Sequence, residues 1–438
     1  MKSPQVCAHN VAMQISLALS VAVGIAIVSC NSVAAQCACT PTPTPTRTPR
    51  PNKPLNDLGQ GSYRGYVGGL YPNGSNQRPT PHDIAGQAIA AAITPVNAWG
   101  TPTPSPAGSI GLLSLGMSNA NLEFGGGLQF QAQAFKARAE ADNAKDSNVI
   151  VVDGTQPGTD AAEWADPTDD VWTNAISKVT AAGLTRKQVE IVWMKHAVID
   201  PTGGFPGSAQ SLQALLTTIA QNVLQKFPNC KIAFFSTRTH AFTTTFHNPE
   251  PYAYETGFAN KWTIEAQINH DPHLKYDPNN GTVVAPYICW GPYFWIDGTN
   301  ARSDGKIWDW CDIQEDLVHP SACGVLKISD QLLAFFETNP ISTPWFLNHT
   351  VTGNVPNITE THFDVQSNNP YKVKFSATVN DPGGTSLRYM WDFDDGDFDY
   401  DITSPVKVFR APGTYHVHLT VVDNDGNHAL ATCTVTPP

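Results

Sequence analysis

The sequence predicts an α/β domain built on a parallel sheet covered on both faces, followed by a smaller antiparallel β-sandwich. Three observations carry this. Apolar runs at 110–115, 148–152, 190–194 and 231–235 alternate with helix-like segments at 127–141, 169–182, 208–227, 252–269 and 321–338. The runs are continuously apolar, as strands buried on both faces are. From about Thr352 the texture changes to period-two alternation, as in Tyr371-Lys-Val373-Lys-Phe375-Ser-Ala377 and Tyr415-His-Val417-His-Leu419-Thr-Val421, with Gly- and Asp-rich turn signals between. Such short alternating runs pair into antiparallel sheets with one buried face.

The first element is a targeting segment. Lys2 precedes a weakly apolar run over 15–28, of signal-peptide length and short for a membrane span. It ends Ile27-Val28-Ser29-Cys30, which resembles the lipobox of bacterial lipoproteins; that resemblance implies acylation and a lipid anchor at Cys30. The small residues Val33-Ala34-Ala35 offer ordinary cleavage and secretion instead. Either route takes the chain out of the cytoplasm. Residues 1–30 are thus expected to be a signal peptide and 31–54, rich in Thr-Pro repeats, a spacer that cannot bury a core.

The remainder falls into an α/β domain over 55–345 and a sandwich over 352–438. The chain's 41% hydrophobic content is enough for two real cores. A formal net charge of -12 argues against nucleic-acid and anionic-lipid partners, which want basic patches. A helix is expected over 83–93, with Ile84, Ala85, Ala88, Ile89 and Ala92 on one face. In an oxidising compartment Cys311 and Cys323 are candidates for disulfides that stiffen the loop they bracket, although sequence does not give connectivity.

In a parallel sheet the residues that follow each strand gather on one edge. Here these are Ser118-Asn119, Asp153-Gly154 through Gly158, Lys195-His196, and Ser236-Thr237-Arg238-Thr239-His240. A serine hydroxyl is a poor nucleophile until a base takes its proton, and histidine suits that task. A carboxylate on the other ring nitrogen fixes the tautomer and stabilises the imidazolium. Asp316-Leu-Val-His319-Pro320-Ser321 supplies both groups from one short loop before the last helix.

This order and spacing resembles the SGNH (GDSL-type) hydrolases. The resemblance implies a three-layer α/β/α, flavodoxin-like domain and an esterase activity with no cofactor or metal. It makes Ser118 the nucleophile, His319 the base and Asp316 its partner. It also implies an oxyanion hole from the Ser118 N–H, a glycine N–H (Gly158, or else Gly154) and a third-block side chain. Where the family has Gly-x-Asn-Asp, this chain has Met194-Lys195-His196-Ala197, so His196 takes the asparagine position. Met117 stands where the family carries Asp before the nucleophile. Asn119, Glu123, Lys195, Arg238 and His240 are substrate-contact candidates. Trp290 belongs to an aromatic-dense stretch, from Tyr287 to Trp310, that either packs over the sheet edge or faces sugar rings.

At the C-terminus, Tyr389-Met-Trp391-Asp-Phe393-Asp-Asp-Gly396, Pro412-Gly-Thr-Tyr415 and Val422-Asp-Asn-Asp-Gly426 resemble a PKD domain, with Asp394 in place of the family's usual Gly. The resemblance implies an accessory module that spaces domains or binds glycan or protein. The acidic run 392–401 is expected to be a solvated hairpin. Together these features predict an extracytoplasmic serine ester hydrolase that removes acyl groups, acetyl among them, from polysaccharide or another small ester. The rival is a non-catalytic surface protein that binds carbohydrate or serves as a scaffold.

Overall fold

The computed structural model describes residues 52–349 and 353–438. The expected signal segment, Cys30 and the spacer up to residue 51 lie outside them. Among the described residues no helix is long and apolar enough to cross a membrane.

Five parallel strands form the central sheet: β1 (Ile110–Gly116), β2 (Val149–Asp153), β3 (Val189–Lys195), β4 (Ile232–Phe235) and β5 (Tyr287–Trp290). Their spatial order is β2-β1-β3-β4-β5. The chain runs outward from β1 to β2, then returns to the other side of β1 for β3. That reversal is a topological switch point, where the loops after neighbouring strands part and leave a crevice.

Alternation along each strand divides the side chains between two cores. Leu113 and Leu115, Val192 and Met194, Ala233 and Phe235, and Ile288 and Trp290 face one cluster. There they meet α2 (Asp170–Ala181), α3 (Gly207–Lys226) and α4 (Tyr252–Ile268) through residues such as Trp172, Leu212 and Phe258. Ile110 and Leu112, Ile191 and Trp193, Ile232 and Phe234, and Tyr287 and Cys289 face the other. It is covered by α1 (Thr80–Ala91) and α5 (Ala322–Thr338), through Ala90, Ile328 and Leu332. Both faces of the sheet are dry, which is why its strands read as unbroken apolar runs.

Two local expectations need correction, and one of two open readings falls away. Only Phe135–Glu140 of 127–141 is helical, because Gly126 (φ +82°) and Gly127 (φ +54°) turn the chain where a helix would have to begin. The stretch from Tyr287 is not a sugar-facing surface. Tyr287 and Trp290 lie in β5, and Tyr293, Phe294, Trp295 and Trp308 are core residues exposed by 1% or less. The acidic run is not solvated either; Asp392, Asp395 and Asp397 are buried.

The last correction follows from how the sandwich docks. It consists of a β9-β8-β11-β12 sheet, with β8 (Arg388–Asp392), β9 (Phe398–Tyr400), β11 (Tyr415–Val422) and β12 (His428–Val435), packed on a β10-β7-β6 sheet of β6 (Asn357–Val365), β7 (Lys372–Asn380) and β10 (Val406–Val408). Trp391, Phe375, Phe393 and Leu419 fill it. Met390, Phe398 and Val422 point the other way and join the α/β core beside α5. Around that seam Arg302 Nε lies 2.9 Å from Asp397, Asn339 donates to Asp392 at 2.9 Å, and Arg388 lies 2.7 Å from Asp142. Of the carboxylates read as a solvated hairpin, Asp397 pairs with Arg302 across the seam, Asp392 accepts from Asn339, and Asp395 pairs with Lys407 inside the sandwich, as buried charges need.

One buried carboxylate in the sheet lacks such support. Glu190 of β3 is 3% exposed, and its Oε2 has no hydrogen-bond partner. Burial pushes its pKa up to about 8, with Lys231 opposing. The folded state therefore holds a proton that the unfolded chain releases above its ordinary value of 4.5. Stability contributed by this site is full below that value and is lost as pH rises to about 8, by up to roughly 1.4 kcal/mol per unit. Glu190→Gln should flatten the fall, so that urea midpoints of the two proteins diverge between pH 5 and pH 8. Parallel curves would contradict the assignment.

Candidate active site

β1 ends on Gly116 at φ +150°, where a Cβ would sit 2.4 Å from the Lys195 carbonyl oxygen. Only glycine fits against β3 so closely. Met117 then serves as N-cap of a single turn, Ser118–Ala120, which runs into a π-helical turn, Asn121–Gly125. π-Helical turns of this kind recur at functional sites. The Ser118 hydroxyl does not cap the turn; it meets His319 Nε2 at 2.7 Å.

His319 is held from the other side by the loop before α5. Asp316 Oδ1 accepts the backbone N–H groups of Val318 and His319, both at 2.9 Å, and Oδ2 lies 2.6 Å from His319 Nδ1. Leu317 adopts φ +61° to let the loop wrap its own carboxylate. The loop is tied down by Phe242 N–H donating to Leu317 O at 2.9 Å and Asn119 Nδ2 donating to Val318 O at 2.9 Å. Cys311 and Cys323, on either side of it, are disulfide-bonded. Burial would raise the Asp316 pKa, but the two backbone N–H groups and the His319 ring outweigh it and hold the carboxyl below its ordinary range. An ionised Asp316 needs a proton on Nδ1, which leaves Nε2 free to accept from the serine hydroxyl. The chain of contacts is therefore polarised toward Ser118.

Ser118 opens onto a cavity of about 270 Å³ lined by Met117, Asn119, Pro157, Gly158, Ile199, Arg238, His247, Asn248, Val318 and His319. The Ser118 N–H belongs to a first helical turn, where amides lack intrahelical acceptors. Of the two glycines considered for the oxyanion hole, Gly154 donates its N–H to Ser114 O at 3.1 Å and so completes the sheet. Gly158, at φ +80°, lines the cavity.

The remaining candidates separate. Asn119 and Arg238 are at the cavity, and Arg238 Nη1 donates to Asn119 Oδ1. Lys195 and Glu123 lie beneath it as a buried pair, with Nζ 2.6 Å from each carboxylate oxygen. His196 is outside the lining. It is 3% exposed, packs 5.5 Å from the Trp164 ring, and burial lowers its pKa to about 3. His240 lies beside Glu250 and Phe242, and Trp290 donates to Leu70 O at 2.6 Å near the sandwich. Sequence reasoning missed His247 and Asn248. Their only signal is an Asn-Pro pair before α4, which marks a turn without saying where it points.

Residues 354–437 match the family model of the PKD domain. No curated protein matches the chain. Among solved structures, the PKD1 domain of Vibrio anguillarum Epp is 26% identical over 19% of this chain and 95% of its own, with a TM-score of 0.17. The salicylyl-acyltransferase SsfX3 from a tetracycline biosynthetic pathway is 13% identical over 54% of this chain and 58% of its own, with a TM-score of 0.28. Catalytically inactive OgpA from Akkermansia muciniphila, solved with an O-glycopeptide, is 10% identical over 75% of this chain and 92% of its own, with a TM-score of 0.21.

Proposed function

We propose that this chain, with its C-terminal PKD domain, is an extracytoplasmic serine ester hydrolase that works through an acyl-enzyme on Ser118. The observation that carries the reading is the unbroken series Ser118 Oγ, His319 Nε2, His319 Nδ1, Asp316 Oδ2, with gaps of 2.7 and 2.6 Å, at the mouth of a cavity. His319 takes the hydroxyl proton as Ser118 Oγ attacks the ester carbonyl. The oxyanion forms against the Ser118 and Gly158 N–H groups. His319 then protonates the departing alcohol, and a water activated by the same ring releases the acid. Asp316 keeps the ring in the required tautomer throughout. The signal-like segment 1–30 and the oxidised Cys311 and Cys323 support an extracytoplasmic address, by secretion or through an anchor at Cys30. Acetylated polysaccharide is the substrate class we favour, with the PKD domain as the module that binds glycan or protein.

A fluorophosphonate probe tests the reading. The parent should label on one peptide, that containing Ser118, and Ser118→Ala should not label at all. Absence of labelling in the parent would return the chain to the class of non-catalytic surface binders.

A further inference from the structure

Arg238 carries more charge than the hydrolytic reading needs. It follows β4, is 1% exposed, and lines the Ser118 cavity. Nη1 is committed to Asn119 Oδ1, while Nε and Nη2 have no hydrogen-bond partner. No carboxylate forms an ion pair with it among the described residues. Burial pulls its pKa down to about 10 against the charges of Glu123, Glu250 and Asp316, none of which bonds to it, so it stays a cation at neutral pH while losing its hydration. An unpaired buried guanidinium is costly, and a fold keeps one where a ligand completes it.

A second group points the same way. Asn248 is 0% exposed and lines the same cavity, with neither Oδ1 nor Nδ2 hydrogen-bonded. Its backbone turns left-handed, with His247 at φ +35° and Asn248 at +55°, and is fixed by its N–H donating to Ile199 O at 2.8 Å. Two consecutive left-handed residues persist only where their surroundings demand it. A guanidinium edge and a carboxamide, both desolvated and both unpaired, form a receptor for a planar anion. Guanidinium forks take carboxylates in two-point contact.

We infer that Arg238, with Asn248, binds a carboxylate borne by the substrate close to the scissile ester. The inference rests on the hydrolase reading and narrows its substrate class to anionic esters. The carboxylate belongs to the acyl part, as in a dicarboxylic half-ester, or to the alcohol part, as in a uronic acid.

The test compares matched charged and neutral esters by pH-stat on the full chain. Monoethyl succinate against ethyl butyrate probes the acyl side; 4-acetoxybenzoate against 4-acetoxybenzamide probes the alcohol side. The parent should prefer the charged member of one pair in kcat/KM by about 10- to 150-fold, the range for a hydrogen bond to a charged group. Arg238→Met should abolish that preference, read as the ratio of charged to neutral kcat/KM within the variant, whatever the absolute rates. Fluorophosphonate labelling of Ser118 in the variant confirms an intact site. If the parent treats both pairs alike, the inference is wrong, and that result needs no variant. If Arg238→Met lowers charged and neutral esters equally while labelling persists, Arg238 serves the oxyanion and the carboxylate subsite is refuted. If the parent labels but hydrolyses only neutral esters, the inference alone fails. If it neither labels nor turns over, the hydrolase reading fails and takes the inference with it.

Discussion

His319→Ala should lower kcat on simple esters by about 10⁴- to 10⁶-fold, and Asp316→Asn by about 10⁴-fold, with KM little changed. The expected size follows from what each change removes. Without His319 the one side-chain base that Ser118 Oγ meets among the described residues is gone; His247 lines the same cavity but makes no hydrogen bond to the hydroxyl. Asp316→Asn keeps the shape but alters the protons. An amide in place of Oδ2 presents a donor or a neutral acceptor 2.6 Å from Nδ1, so the charge that holds a proton there is lost and the tautomer facing Ser118 is no longer fixed. Ser118→Ala/His319→Ala should be no worse than either single change, because the residues act as a unit. Steady-state rates with an active-site titration check this. Losses below tenfold in either single variant would mean that the hydrogen-bonded series is structural.

The second large effect is on stability. Lys195→Met should cost about 3–5 kcal/mol, because it strands the Glu123 carboxylate in the interior. Both side chains are 0% exposed, and Nζ reaches both oxygens at 2.6 Å. Burial drags the Lys195 pKa down to about 8 and pushes that of Glu123 up, each opposed by the other's charge. The pair is a clamp as well: Glu123 sits in the π-helical turn after Ser118, and Lys195 closes β3. Lys195→Met/Glu123→Leu should recover most of the loss, since replacing both charges by apolar groups removes the desolvation cost too. Urea unfolding of the three proteins measures the cycle. A single variant within 1 kcal/mol of the parent would show that the pair contributes little to holding the turn.

The sequence made the sheet legible where its strands were long enough to show. β1 and β3 are seven residues each and apolar almost throughout, because both faces are covered. β5 is only four residues, Tyr-Ile-Cys-Trp, inside a stretch so aromatic that no boundary stands out, and it read as a patch instead. The docking of the sandwich on α5 was invisible, since Asp397 finds Arg302 and Asp392 finds Asn339 across a seam that no local pattern encodes. At the site, the Asp316-Leu-Val-His319 spacing and the serine after β1 were legible because they are short-range. Arg238 was placed at the right sheet edge, but its unpaired state and its neighbour Asn248 depend on a loop folding back at positive φ, which composition does not announce. The Glu123–Lys195 pair joins positions 72 residues apart and has no local signature.

The central claim is that Ser118 is a nucleophile activated by His319. It is tested most directly by p-nitrophenyl acetate hydrolysis, measured as burst and steady-state rate, for the parent beside Ser118→Ala. The account predicts a burst near one equivalent per chain in the parent if deacylation is the slower step, steady turnover in any case, and a background rate in the variant. Equal rates in the two proteins would contradict it.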